Sequence, residues 1–184
     1  MQVFEKIWLV VLCCCFLSIG TQGQQLTEDD LLLNAEELIN SVDLDGQSNA
    51  AFITQLGDGN SIEIEQELIG NSANFASVLQ IGSDNLALIQ QVGESNKSFV
   101  IQEGNGNEYI LSVEGFNNTF LIRQIGDNNR IEQELTNASN LLMELIQEGD
   151  GNTIIYRRDG FTDQSLSIRQ IGDGLRVEVI QTQN

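Results

Sequence analysis

One stretch of the sequence decides the fold: residues 49–66 read NAAFITQLGDGNSIEIEQ. Over residues 60–66, the side chains Asn, Ile, Ile and Gln alternate strictly with Ser, Glu and Glu. Alternation of this kind predicts a β-strand with one buried face. Between the two halves, residues 57–59 read Gly-Asp-Gly, and these residue types tolerate positive φ and are typical of tight turns. The stretch therefore predicts a strand, a turn and a second strand.

The same pattern recurs along the chain with a period of eleven residues. An evenly spaced series of asparagines comprises Asn85, Asn96, Asn107, Asn118, Asn129 and Asn140. In six units a glutamine follows the asparagine after six residues, and in five of these a glycine follows the glutamine after two more. The six units begin at Asn49, Asn60, Asn74, Asn85, Asn96 and Asn118. A fixed short period over roughly 135 residues is typical of a solenoid rather than of a globular enzyme.

We predict an all-β fold, a β-solenoid of stacked strand–turn–strand rungs. Two consecutive units form one rung of about 22 residues with their apolar faces opposed, and about six rungs stack at the strand spacing of roughly 4.8 Å. Stacked strands of this kind can form cross-β fibres. The chain has no proline, a residue that natural sheets use to block pairing at exposed edges.

The repeated amide side chains fall on the inward face of the predicted rungs. Identical amides one rung apart can hydrogen-bond along the axis, at a net gain of about 1 kcal/mol per contact. Asparagine serving only as a turn residue is the alternative, but its coupling to glutamine at six residues favours ladders. The predicted ladder residues are Asn49, Gln55, Asn60, Gln66, Asn74, Gln80, Asn85, Gln91, Asn96, Gln102, Asn107, Asn118, Gln124, Asn129, Gln170 and Gln181. The predicted turn glycines are Gly57, Gly82, Gly93, Gly104, Gly126, Gly149 and Gly172.

The first residues have the composition of a secretory signal peptide. An apolar run at residues 7–19 follows Lys6 and precedes small residues, and it is too short for a membrane-spanning helix. We therefore predict cleavage of residues 1–23 and a mature chain without a transmembrane segment. All three cysteines lie in the apolar run, so the mature chain would rely on backbone ladders and packing rather than disulfides.

Residues 24–48 precede the repeats and differ from them in composition. Acidic residues at 28–30 are followed by apolar residues at helical spacing, which suits a short amphipathic helix. A poorly ordered acidic leader is the alternative reading. Residues 49–184 then form the predicted repeat domain.

Charge and residue types exclude several classes of function. The net charge of −19 repels nucleic acid phosphates and anionic lipid surfaces. The chain has no histidine, its mature part is predicted to lack cysteine, and its carboxylates are scattered outward. We therefore predict no catalytic residues, no metal ligands and no cofactor-binding residues.

The repeat resembles that of the curlin family, the secreted subunits of bacterial curli amyloid fibres. Residues 49–66 and 74–91 couple Asn, Gln and Gly at the family's spacing. The sequence departs from that pattern at Val113, Leu135 and Arg158, which stand where glutamine is expected.

The resemblance implies a subunit that is secreted unfolded and polymerises outside the cell, as a fimbrium or pilus for adhesion and biofilm matrix at the bacterial surface. Its implied partners are further copies of itself, another curlin subunit, and a curli-type outer-membrane channel with its accessory proteins. Residues 24–48 would correspond to the family's secretion-targeting segment.

Two roles within the fibre remain open, and so does one reading outside it. Curlins include a major subunit and a minor nucleator, and the nucleator's last repeat is degenerate and basic. The candidate docking residues for that role are Arg157, Arg158, Arg169 and Arg176, with a solvated outer face as the alternative. A soluble, monomeric β-solenoid adhesin would instead need capped terminal repeats, and no obvious rigid cap precedes Asn49.

Overall fold

The computed structural model describes residues 8–12, 48–162 and 165–182, and within these ranges it contains strands and turns but no helix. The strands are β1 Trp8–Leu12, β2 Ala50–Leu56, β3 Ser61–Leu68, β4 Phe75–Ile81, β5 Leu86–Glu94, β6 Lys97–Glu103, β7 Glu108–Phe116, β8 Thr119–Ile125, β9 Arg130–Ser139, β10 Leu142–Glu148, β11 Thr153–Thr162, β12 Ser165–Ile171 and β13 Arg176–Thr182. Apart from residues 8–12 and Ser48, the predicted signal peptide and leader lie outside the described residues.

The strands form two parallel sheets. The first sheet has the order β1-β2-β4-β6-β8-β10-β12, and the second has the order β13-β11-β9-β7-β5-β3. From β2 onward, successive strands lie in opposite sheets, so each pair forms one rung, from rung one (β2 and β3) to rung six (β12 and β13). The prediction of an all-β solenoid of about six rungs is confirmed. Strand β1, from the predicted signal peptide, pairs with the edge of β2.

Rung lengths vary, and the variation follows two kinds of insertion. Equivalent glutamines of successive rungs are 25, 22, 22, 23 and 23 residues apart. Three extra residues lie in the turn between β3 and β4. One more enters within β9, whose register against β7 shifts between Val113 and Gly115. Strand β11 has the same length as β9 and pairs with it without a shift, so it carries one extra residue as well.

Because of the insertion in β9, one asparagine of the eleven-residue series does not occupy its expected position. The backbone N–H of Leu141 donates to the Asn118 side chain, which is the place that the series assigns to Asn140. Asn140 instead lies in the turn with φ 51°, and its side chain accepts a hydrogen bond from Asn117. The extra residue moves the chain forward by one, so Leu141 takes the inward position.

The core lies between the two sheets and consists of the inward residues of both. The fully buried members from the first sheet are aliphatic or aromatic, namely Ala76, Phe120, Met143 and Leu145. The facing members from the second sheet are Ala87, Tyr109, Ile131, Ile154 and Tyr156. This division follows from the alternation of side chains along a strand.

The turns stack on one another as closely as the strands do. All seven predicted turn glycines have positive φ and lie at strand ends or in turns. At Gly82, φ is 116° and an added Cβ would lie 2.0 Å from the carbonyl oxygen of Gly104 on the next rung. Gly151 also has positive φ, but an added Cβ there meets nothing within 4 Å.

We expect Gly82→Ala to destabilise the solenoid more than Gly151→Ala does. Both variants carry the strain of a left-handed residue, about 1–2 kcal/mol, but only Gly82→Ala also forces two backbones apart, at roughly 1–3 kcal/mol more. The measurement is the temperature at which the β circular-dichroism signal of the purified mature chain is lost. Equal midpoints for the two variants would contradict close stacking of the turns.

Candidate functional site: the buried amide ladders

One glutamine ladder runs through all six rungs of the first sheet. Its members are Gln55, Gln80, Gln102, Gln124, Gln147 and Gln170. Each Nε2 donates to the Oε1 of the next, at 2.8, 2.8, 2.9, 3.0 and 2.8 Å. The Nε2 groups of Gln80 and Gln102 also donate to the carbonyl oxygens of Ser61 and Leu86, so the ladder joins the two sheets.

Gln147 was missing from the residues predicted from the sequence, although it is fully buried in this ladder. It falls 23 residues after Gln124 rather than 22, because of the insertion in β9. The signal that could have identified it is local: Gln147 precedes Gly149 by two residues, as the other ladder glutamines precede their glycines.

The matching column of the second sheet carries only a short ladder. Gln66 Nε2 donates to Gln91 Oε1 at 2.7 Å, and Gln91 Nε2 turns to Ser98 Oγ at 2.9 Å. The next positions in register are Val113, Leu135, Arg158 and Gln181. At the first rung, Gln66 Oε1 is buried without a hydrogen-bond partner. At the last rung, Gln181 is exposed and accepts from the Tyr156 hydroxyl at 3.2 Å.

The asparagines make further bonds besides the side-chain contacts that the sequence suggested. In each column, the side-chain oxygen mainly accepts a backbone N–H from the next rung, as Asn60 Oδ1 does from Asn85 at 3.0 Å. The amide nitrogen donates to a turn carbonyl, as Asn85 Nδ2 does to Gly104 at 2.8 Å. Direct contacts between asparagine side chains also occur, for example between Asn96 and Asn74. Asparagine therefore serves as a turn cap and a ladder residue at once.

The asparagines form one column at each end of the rungs. The first column contains Asn49, Asn74, Asn96 and Asn118, and Leu141 continues it. The second contains Asn60, Asn85, Asn107, Asn129 and Asn152, and Leu175 ends it. Asn152 is fully buried and was also absent from the predicted set.

The four candidate docking arginines do not form one patch. Arg157 lies on the outer face of the second sheet, 3.2 Å from Glu132, whereas Arg169 lies on the outer face of the first sheet, 2.8 Å from Glu148. Arg176 pairs with Glu178. Arg158 is only 7% exposed, so its prediction as a surface docking residue is wrong. It faces inward because it occupies the glutamine column.

A cluster of paired charges lies on the outer face of the second sheet. Arg130 contacts Glu108 and Glu132, and Arg157 also bonds to Glu132. The hydrogen bond from Arg130, and a second from Arg157, hold the pKa of Glu132 below its ordinary value of 4.5 against the opposing effect of partial burial. The ionised carboxylate is therefore favoured in the folded chain.

The described ranges lack two further features. Residues 8–12, 48–162 and 165–182 contain no group of three or more His, Cys, Asp or Glu side chains placed to hold a metal ion. Over the same ranges there is no helix with the length and hydrophobicity that a membrane crossing requires.

Replacing Gln102 by leucine should destabilise the fold far more than replacing Gln90 by leucine. Gln102→Leu leaves Gln124 Oε1 and the Leu86 carbonyl without their donor, at roughly 1–3 kcal/mol for each group. Gln90 is an exposed glutamine whose amide bonds to Glu65, so the same change there should have little effect. The measurement is resistance of the β signal to guanidinium, and equal midpoints would contradict the inward ladder.

Acidification should remove the contribution of Glu132. Because its folded pKa is lowered, its stabilising effect is fully present above the ordinary value of 4.5 and is lost as the pH falls through the lowered pKa. We expect the stability difference between wild type and Glu132→Gln to be constant near neutral pH and to shrink below pH 4.5.

Glu63→Gln is the control for this titration. It removes a carboxylate from the same outward column without touching either arginine. A stability difference between wild type and Glu132→Gln that does not change with pH would contradict the assignment.

The repeats match the model of a known family. A family model described as the Curlin associated repeat matches the chain twice, over residues 40–67 and 82–112. Comparison with curated proteins and with solved structures gave no significant match. The matched segments span nearly all of rung one, the second strand of rung two and most of rung three, where the Asn, Gln and Gly positions build the ladders. The chain therefore carries curlin-associated repeats over these two segments.

Proposed function

We propose that this protein is a secreted structural subunit that polymerises into curli-like amyloid fibres, which serve adhesion and the biofilm matrix at the bacterial surface. The single observation that carries the proposal is the glutamine ladder of the first sheet, which runs through all six rungs and can be continued beyond Gln55 and Gln170. The family match supports a structural, non-enzymatic role outside the cell.

The glutamine ladders run in one direction, so the two ends of the solenoid are complementary. At rung six, Gln170 Nε2 donates to the Thr153 carbonyl and has a second N–H available. At rung one, Gln55 Oε1 stands at the start of the same ladder. Stacking rung six of one copy on rung one of the next would continue the ladder across the junction.

The glutamine column of the second sheet indicates the same direction of stacking, with rung six of one copy on rung one of the next. Gln66 Oε1 is buried and without a hydrogen-bond partner at rung one, and Gln181 occupies the same column at rung six. In an end-to-end stack, Gln181 Nε2 of one copy would donate to Gln66 Oε1 of the next. A buried acceptor without a donor costs about 1–3 kcal/mol, and the junction would remove that cost.

Strand β1 would prevent stacking for as long as it is paired with β2. It pairs with β2 along the edge that an incoming copy would occupy. Cleavage of the predicted signal peptide, residues 1–23, would free that edge. We further propose export through a curli-type outer-membrane channel with accessory proteins, with residues 24–48 as the targeting segment. The family resemblance supports this part of the proposal.

The terminal arginines give little support to the nucleator role. Arg157, Arg169 and Arg176 are each paired with a glutamate of the same chain, and Arg158 is buried. We therefore propose an elongating subunit that stacks on copies of itself or on another curlin subunit.

The mature chain, residues 24–184, should assemble without a cofactor into fibres that bind an amyloid dye. Their diffraction should show the reflection near 4.7 Å that stacked strands give. A chain that stays monomeric after prolonged incubation at high concentration would contradict the proposal and favour the soluble adhesin.

Gln181→Val tests the junction itself. The side chain is exposed in the single molecule, so its loss should leave the rungs intact and slow the elongation of wild-type seeds, by about tenfold for each 1.4 kcal/mol lost. Gln90→Val, another exposed glutamine, is the matched control and should elongate at the wild-type rate. Equal rates for both variants would exclude the Gln181–Gln66 contact.

A further inference from the structure

The outer face of the first sheet differs in charge from the rest of the molecule. This face comprises the outward residues of β2, β4, β6, β8, β10 and β12, which lie in four in-register columns. Its acidic residues are Glu103, Glu144 and Glu148, and its basic residues are Lys97, Arg123 and Arg169. Three acids and three bases cancel, within a chain whose net charge is −19.

The outer face of the second sheet carries a clear excess of acid. Its acidic residues are Glu63, Glu65, Glu67, Glu108, Glu114, Glu132, Glu134, Asp159 and Glu178. Its basic residues are Arg130, Arg157 and Arg176. Two copies that approach through this face would set acids against acids, which is unfavourable.

The outer face of the first sheet is also rich in large apolar side chains. Phe52 is 37%, Leu142 49% and Ile171 62% exposed. The Phe75 ring packs between two others, 5.6 Å from Phe52 and 5.4 Å from Phe99 by ring centroids. Phe75 and Phe99 are themselves buried, so the exposed apolar side chains of this face lie at rungs one, five and six. They offer a second copy apolar contacts near both ends of the face.

The size of the face suits a specific contact. A face seven residues wide and six strands tall covers about 650 Å² at ordinary strand dimensions. Two copies in face-to-face contact would therefore bury about 1,300 Å², which lies within the range of specific interfaces.

We propose that this face pairs with the same face of a second copy in a neighbouring filament, so that fibres of this protein consist of paired filaments. The proposal rests on the proposed function, because only a filament extends the face into a continuous stripe. The occupant is a second copy because a strongly acidic chain can approach another most closely where the charges cancel. Paired sheets of this kind form a dry, interdigitated interface.

Ile101→Glu and Ile110→Glu form a matched pair of variants. Both isoleucines are half-buried and outward-facing on rung three, Ile101 on the first sheet and Ile110 on the second. Along the axis, Ile101 lies beside Arg123, whereas Ile110 lies beside Glu132. The control variant therefore places the less favourable charge within a single filament.

The measurement is mass per unit length of filaments in scanning transmission electron microscopy. We expect wild-type and Ile110→Glu filaments to have twice the mass per unit length of Ile101→Glu filaments. Wild-type filaments that are single throughout, or Ile101→Glu filaments that pair as wild type does, would overturn the inference. Pairing lost equally in both variants would do the same.

The neutral variants Ile101→Gln and Ile110→Gln replace the glutamate pair if Ile101→Glu does not assemble, with the same expected twofold difference. A wild-type chain that forms no filaments contradicts the proposed function, and the pairing with it. Single wild-type filaments contradict the pairing alone. The two failures are thus distinguishable.

Discussion

In-register parallel stacking is the constraint on which the rest of the structure depends. Each strand meets the equivalent strand one rung away, so every side chain lies directly above or below its counterpart. An inward amide is tolerated because its neighbour offers a complementary amide at hydrogen-bonding distance, as along the ladder from Gln55 to Gln170. The same inward group without a neighbour would lose a buried hydrogen bond. A buried amide in this core is therefore satisfied only when the adjacent rungs carry a hydrogen-bonding partner in the same column.

Stacking imposes an equally strict condition on charge, and the sequence meets it. In the described strands, no acidic residue has an acidic partner directly above or below it. In the column that begins at Glu63, the acids are separated by Leu88, Ile110 and Ile155. Acids do stack in the turns, where Asp127 and Asp150 donate their backbone N–H groups to the carboxylates of Asp150 and Asp173. A hydrogen bond to the carboxylate offsets the repulsion there.

The strands, the rungs and most ladder positions could be predicted because their cause is periodic. Alternation fixes the buried face, and the spacing of Asn, Gln and Gly fixes the rung. Predictions failed where one residue breaks the period. The insertion in β9 moved Leu141 into the place expected for Asn140. It also moved Gln147 one residue beyond its expected position, so Gln147 was not predicted as a ladder residue. Arg158 was predicted to dock a partner because basic residues cluster near the C-terminal end, although its register assigns it to the inward glutamine column. The asparagine bonds needed backbone positions, which side-chain periodicity alone does not supply.

The short separation along the chain between paired strands of adjacent rungs has a consequence for the order of folding. Partners in adjacent strands are 22–25 residues apart in the chain, so a new rung closes a loop of nearly constant length on the rung before it. Loop-closure entropy therefore hardly rises as the solenoid lengthens, and stability accumulates between nearest neighbours. The first rung is the slow step, since it has nothing to pair with. An existing filament end supplies that missing neighbour. An incoming chain can therefore fold on the filament end one rung at a time, and each new rung pairs with the one before it.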